Sequence, residues 1–261
     1  MEVKKILKKN KLSGKESLLA IIKQSFNQHP YVSVPVLRKL LEQNKNKIKP
    51  ATINRYLVIF KQDGVIYGAG RGWYSSISKP YPLDVLSIEK VVFEIEKKYP
   101  LLDFTCWSTE QISSYGHHLL SKYVTFLYTD RDSMPSVYEF LVEKGYDVHL
   151  NPSKVEGKNF IIRSNTIVIR PSISTQPAVG HFVKIEGLLV ELFLESIDLN
   201  LIDYEEYLKT FDNVIQQFRI SMALFLDYAQ ERKSDAIIQL IESIKAEFSI
   251  NSPLIDFTKS K

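Results

Sequence analysis

The stretch Ser75-Ser76-Ile77-Ser78-Lys79-Pro80-Tyr81-Pro82-Leu83 limits the possible folds more than any other segment of the chain. Serines and two prolines interrupt helical and strand periodicity alike, so no regular element is expected to run through it. The charge changes sign at the same place. Residues 1–80 carry 16 Lys and Arg against 4 Asp and Glu, a balance of +12, whereas the remainder carries 18 against 26, a balance of −8. The net charge of +4 hides that contrast. At 261 residues there is length for two ordinary domains, and the break predicts them at 1–78 and 84–261. A basic first part on an acidic remainder is the footprint of a nucleic-acid-binding module joined to something else. The plainer alternative is a solvated lysine face without a partner.

At 44% hydrophobic and 25% charged, the chain can bury a sizeable core, which excludes disorder throughout and a fibrous class. Its one cysteine, Cys106, can form neither an internal disulfide nor a cysteine-rich zinc site, and a reducing cytoplasm is the expected setting. The start, Met1-Glu2-Val3-Lys4-Lys5, leads into further lysine without an apolar run, so no secretory signal is expected. No segment approaches the roughly 18 apolar residues of a membrane helix.

Within the basic part, Leu18, Leu19, Ile22 and Phe26 recur at helical spacing over 15–27, with Ser13 as a cap. Ser33 is placed to cap a second helix that has Pro35 in its first turn and Val36, Leu37, Leu40 and Leu41 on its apolar face. Lys49-Pro50-Ala51-Thr52 opens a third helix with a stripe of Ile53, Leu57 and Phe60, and Asp63-Gly64 ends it. Val65 to Gly68, the tip Ala69-Gly70-Arg71, and Gly72 to Ser75 read as strand, glycine-rich turn and strand.

Three short helices followed by a β-hairpin is the order of a winged helix-turn-helix, whose third helix enters the major groove. The outward side chains there are Thr52, Asn54, Arg55 and Lys61. Asn suits adenine and Arg suits guanine, although either serves phosphate as well. Arg71 at the tip is placed to reach a minor groove or a phosphate, and Lys45, Lys47 and Lys49 precede the third helix where phosphates would pass. For each residue taken alone, ordinary surface is the alternative. Trp73 and Tyr74 read as packing within the hairpin's core.

The acidic part reads as mixed α and β. Ile88 to Tyr99 is an amphipathic helix, 104–108 a short strand, and 108–111 a helix start leading to Leu119 and Leu120. Lys122 to Thr129 is a strand, Met134 to Gly145 a helix closed by its glycine, and 146–150, 160–163 and 166–170 are further strands. Residues 185–194 are strongly apolar with Glu186 and Glu191 interleaved, and amphipathic helices follow at 204–218 and 221–248. The expected class is therefore α+β: an N-terminal winged helix-turn-helix, then a mixed α/β domain with C-terminal helices.

Chemistry is harder to find. Asp130-Arg131-Asp132 after a strand could share a hard cation, as carboxylate pairs do in nucleotidyltransferases. That chemistry also needs a Gly-Ser phosphate loop upstream, and Ser113-Ser114-Tyr115-Gly116 has the wrong order. A capped strand-to-helix loop is the simpler reading. His117 and His118 are adjacent and would face different ways; His29, His149 and His181 lack partners at ligand spacing. Cys106 lies in an apolar strand pattern and reads as an inert core thiol, and Phe104, Trp107, Tyr123, Phe126 and Tyr128 as core. The nucleotide-binding glycine motifs and the nucleophile elbow are missing from the sequence. Neither a catalytic residue nor a cofactor or metal site is predicted.

The phrase Asp63-Gly64-Val65-Ile66 through Arg71-Gly72-Trp73-Tyr74 resembles the end of the N-terminal domain in AbiEi-type antitoxins, bacterial transcriptional regulators from abortive-infection, type IV toxin–antitoxin operons. Residues 104–108 through 123–127 are similar to the opening of that family's C-terminal domain. Val183 to Phe193 is similar to its Glu-x-x-Leu-Val-Asp-Leu-like signature, and 213–232, with Leu226-Asp227-Tyr228-Ala229, to the helices that follow. The family often has Lys after that glutamate and Asp before the last leucine, where this chain has Gly187 and Glu191. The resemblance covers most of the chain in order. It implies a winged helix that binds double-stranded DNA at its own promoter, and a C-terminal domain that neutralises a nucleotidyltransferase toxin without requiring stable direct binding. Two other readings stay open: a divergent nucleotidyltransferase-like enzyme using Asp130 and Asp132, and a winged helix that binds protein.

Overall fold

The computed structural model describes residues 13–44, 48–116, 122–237, 239–240 and 242. The chain divides between Lys79 and Pro80, and Glu242 groups with the first unit. The fold is mixed α and β with two sheets. Among the described residues, no helix is long and apolar enough to cross a membrane.

Helix α1 (Gly14–Phe26) starts on a reciprocal cap: Ser13 Oγ accepts from the Glu16 amide, and the Glu16 carboxylate accepts from the Ser13 amide at 2.8 Å. Strand β1 (Tyr31–Ser33), α2 (Val34–Gln43), α3 (Pro50–Gln62), β2 (Tyr67–Gly68) and β3 (Trp73–Ser75) follow. Pro50 occupies the first turn of α3, where its missing N–H is no loss. The three strands form an antiparallel sheet in the order β1-β3-β2. Strand β1 was not expected, and it changes the role of Ser33. That residue stands at the start of α2, but it pairs with Trp73 in the sheet and its side chain makes no capping bond. Leu18, Ile22, Leu37, Leu41, Leu57 and Phe60 are buried together at the centre, with Tyr74 packed against them.

The second unit comprises α4 (Leu86–Lys98), β4 (Phe104–Ser108), α5 (Glu110–Ser113), β5 (Val124–Thr129), α6 (Met134–Glu143), β6 (Asp147–Leu150), α7 (Lys154–Gly157), β7 (Thr166–Pro171), β8 (Ala178–Val179), β9 (Phe182–Val183), α8 (Ile185–Leu199), α9 (Tyr204–Gln217) and α10 (Met222–Glu231). Its sheet runs β6-β7-β5-β4-β9-β8. Strands β6, β7 and β5 are mutually parallel, and β4 lies antiparallel to β5 with Cys106 opposite Leu127. One face of the sheet, carrying Cys106, Leu127 and Ile169, packs with Ile88, Ile95 and Leu141 from α4 and α6. The other face presents Trp107, Phe126 and Tyr128, and Tyr128 reaches α8. Helix α8 packs on α9 and α10 in turn. That position between layers explains a sequence apolar on all sides: Leu188, Leu189, Val190 and Leu192 are each at most 1% exposed.

Three expectations fail here. Residues 160–163 form no strand; the Phe160 ring packs on His149 and Arg163 bonds Asp147, so this segment lies against β6 without pairing. The long final helix breaks after Glu231, where Arg232 turns toward Glu191 and Lys233 takes a left-handed backbone, with helix resuming at 235. Helix α5 is a single turn, and Leu119 and Leu120 lie outside the described residues.

Candidate nucleic-acid interface

Helix α3 buries Ile53, Leu57 and Phe60, which fixes the opposite side as its outer face. Asn54, Arg55, Val58, Lys61 and Gln62 are exposed there, and Thr52 is half-buried at the flank. Thirteen residues make a helix about 20 Å long, and a helix of ordinary diameter fits the major groove of B-DNA. Lys49 is exposed at the N-cap position, and the first turn holds no acidic residue. The positive end of the helix dipole and the lysine therefore offer an anion the same end of the helix.

Arg71 is exposed at the tip of the β2–β3 hairpin. Gly70 and Gly72 on either side have φ of 93 and 75, backbone that side chains rarely adopt, and this sharp turn is what projects the arginine. Gly72 O accepts from the Val34 amide at 2.9 Å, which ties the tip to the start of α2. At the other end of α3, Lys61 Nζ lies beside the hairpin, 3.7 Å from where a Cβ on Gly68 would stand. The structure thus brings Lys61 to the hairpin, and strings Lys49, Thr52, Asn54 and Arg55 along the first half of α3. Lys45 and Lys47 lie outside the described residues. Val58 and Gln62 were missed from sequence, although the spacing of Ile53, Leu57 and Phe60 already turns them outward.

The second unit is built around buried ions. Glu191 is fully buried and accepts from Tyr128 OH at 3.2 Å, from Tyr228 OH, and from Arg232 Nη2 at 3.2 Å. One turn on, Glu195 receives Arg170 in a two-point contact, Nε at 2.8 Å and Nη2 at 2.5 Å. Glu186 accepts the Ser221 amide at 2.6 Å and so caps the entry to α10. Burial lifts the carboxyls of Glu191 and Glu195 above the ordinary range, against the pull of Arg232 and Arg170. Of these residues, Glu186 and Glu191 stood out in the sequence as polar interruptions of an apolar run, and Tyr128 as a core aromatic.

The expected carboxylate pair plays a local part. Asp130 Oδ1 accepts the Ser133 amide at 2.9 Å, a bond that caps the turn into α6, and the Ser133 hydroxyl together with that amide holds the carboxyl below its usual range. Asp132 is exposed. Among the described residues, no group of three or more His, Cys, Asp or Glu is placed to hold a metal ion. Cys106 is fully buried, and burial pushes its thiol far up, as suits an inert core residue. His181 stacks on Phe104 and lies 3.0 Å from Glu96; His149 lies 3.3 Å from Asp147; His117 and His118 fall outside the described residues. A cleft of about 300 Å³ opens on the same unit, lined among others by Lys90, Lys122, Tyr123 and Arg163.

A family of unknown function, DUF6577, matches residues 52–247. No curated protein matches the chain.

Proposed function

Since the chain belongs to the DUF6577 family, whose function is unknown, we propose a role from its own residues: a transcriptional regulator that binds double-stranded DNA through an N-terminal winged helix-turn-helix. The observation that carries the reading is the outer face of α3, with Asn54, Arg55 and Lys61 exposed, Lys49 at its N-terminus and Lys61 beside a hairpin tipped by Arg71. The order helix, strand, helix, helix, hairpin and the sheet β1-β3-β2 support the winged-helix assignment. The charge of +12 on residues 1–80 supplies the phosphate attraction that DNA binding needs.

In this reading the regulator acts in the cytoplasm on its own promoter. The second unit carries the antitoxin role of a type IV, abortive-infection system, countering a nucleotidyltransferase toxin. That part rests on the resemblance to AbiEi-type antitoxins. The chain is read as a regulator and not an enzyme, a reading that the capping role of Asp130 supports.

Fluorescence anisotropy with DNA from upstream of the protein's own gene, beside scrambled DNA at two salt concentrations, tests the proposal. Tight binding that prefers the upstream DNA and weakens with salt is expected. Binding without sequence preference removes the autoregulatory role, and no binding at low salt removes the DNA-binding role.

A further inference from the structure

Asn54, Val58 and Gln62 form one i, i+4, i+8 row on the outer face of α3, and all three are exposed. Val58 stands in the middle with 54% of its surface open to solvent. It sits between two carboxamides, beside Arg55 and Lys61. A single exposed apolar residue is ordinary on a protein surface, but Val58 stands inside the row that a recognition helix turns to DNA, where it is the apolar contact that this face offers. The apolar feature of a B-DNA major groove is the thymine C5-methyl, and the two-point partner of a carboxamide is the N6/N7 edge of adenine. Both belong to A·T pairs. At a rise of 1.5 Å per residue, members of the row stand about 6 Å apart, close to two base steps.

Resting on the DNA-binding role proposed above, we infer that α3 reads A·T base pairs through Asn54, Val58 and Gln62, with Val58 seated on a thymine methyl. Asn54 and Gln62 then address adenines about two base pairs to either side. Lys61, turned toward the hairpin, serves the phosphate backbone. The specificity of the site accordingly contains a methyl-dependent component that no cation on the helix can supply.

The test uses the full chain. Binding sites are selected from a random double-stranded DNA library, and the best site is resynthesised with single thymines replaced by deoxyuridine, which removes only the methyl group. One replacement is expected to weaken wild-type binding about fourfold, the factor that one buried methyl group corresponds to. Val58→Ala should weaken binding to the thymine site by a similar factor and show no further loss on the deoxyuridine site. Thermal melting at unchanged temperature confirms that the exposed substitution leaves the fold intact. If the deoxyuridine effect is as large in Val58→Ala as in wild type, or if the selected sites hold no fixed A·T pair, the inference is overturned while the DNA-binding role stands. If no sequence is selected and nothing binds even at low salt, the role and the inference fall together.

Discussion

Replacing His29 by Asn probes the interior electrostatics of the first unit. His29 is only 9% exposed, and its Nδ1 accepts the Tyr31 amide at 3.2 Å. Burial pushes its pKa from the ordinary 6.5 down to about 4. The unfolded chain therefore takes up a proton before the folded one does. Well above pH 6.5 neither state is protonated and the residue adds no slope. Between pH 6.5 and about 4 the unfolded state alone gains from protonation, so stability falls as the pH drops through that window. With those two values the loss from pH 7 to pH 5 is about 2 kcal/mol, and the full loss below pH 4 is about 3 kcal/mol. An Asn at this position keeps an acceptor near Nδ1 and does not titrate. Amide hydrogen exchange at Leu18 and Leu57, in the core of the same unit, reads its opening free energy directly. The wild type should lose about 2 kcal/mol more than His29→Asn between pH 7 and pH 5. Equal losses in the two proteins would refute the argument that burial keeps this histidine neutral.

Three further outcomes are expected. Arg55→Ala should weaken binding to upstream DNA by roughly 1–3 kcal/mol in the anisotropy assay if the side chain reads a base; unchanged binding would mean that α3 is not the recognition helix. Gly157→Ala should destabilise the second unit, because a Cβ there would stand 1.8 Å from the Asp198 backbone oxygen, and separating α7 from α8 costs at least the 1–3 kcal/mol of an overpacked core; a urea midpoint equal to wild type would contradict the packing. Glu191→Ala should cost about 3–5 kcal/mol in the same titration, since it leaves two buried tyrosine hydroxyls and the half-buried Arg232 without their acceptor, and a loss below 1 kcal/mol would show that water replaces the carboxylate.

The elements that could be read from sequence are those whose cause is local. The Ser13–Glu16 cap, the stripe Ile53-Leu57-Phe60 and the β-branched and aromatic composition of 124–129 each declare their element within a few residues. The elements that were missed depend on distant partners. Strand β1 is three residues long and pairs across some 40 residues with β3; β8 and β9 have two residues each, too few for any period to show. The segment 160–163 has strand composition, but β7 is already flanked by β5 and β6. The cationic part of the candidate interface was visible as charge, whereas Val58 carries no charge and shows only through the stripe Ile53-Leu57-Phe60, which turns it outward. The partners of Glu191 come from β5 and from the end of α10, and nothing short of the fold brings Tyr128, Tyr228 and Arg232 to one carboxylate.

That carboxylate has a consequence for the order in which a ribosome delivers the protein. The first unit has its last pairing residue, Ser75, early in the chain. The second cannot satisfy Glu186 before Ser221 has been made, nor Glu191 before Arg232. At ordinary rates of synthesis the interval is roughly 10–30 s, during which the strands of the first sheet are all made while the buried carboxylates of the second unit still lack their partners. Premature termination between the two points would release a chain whose Glu191 is buried without Arg232.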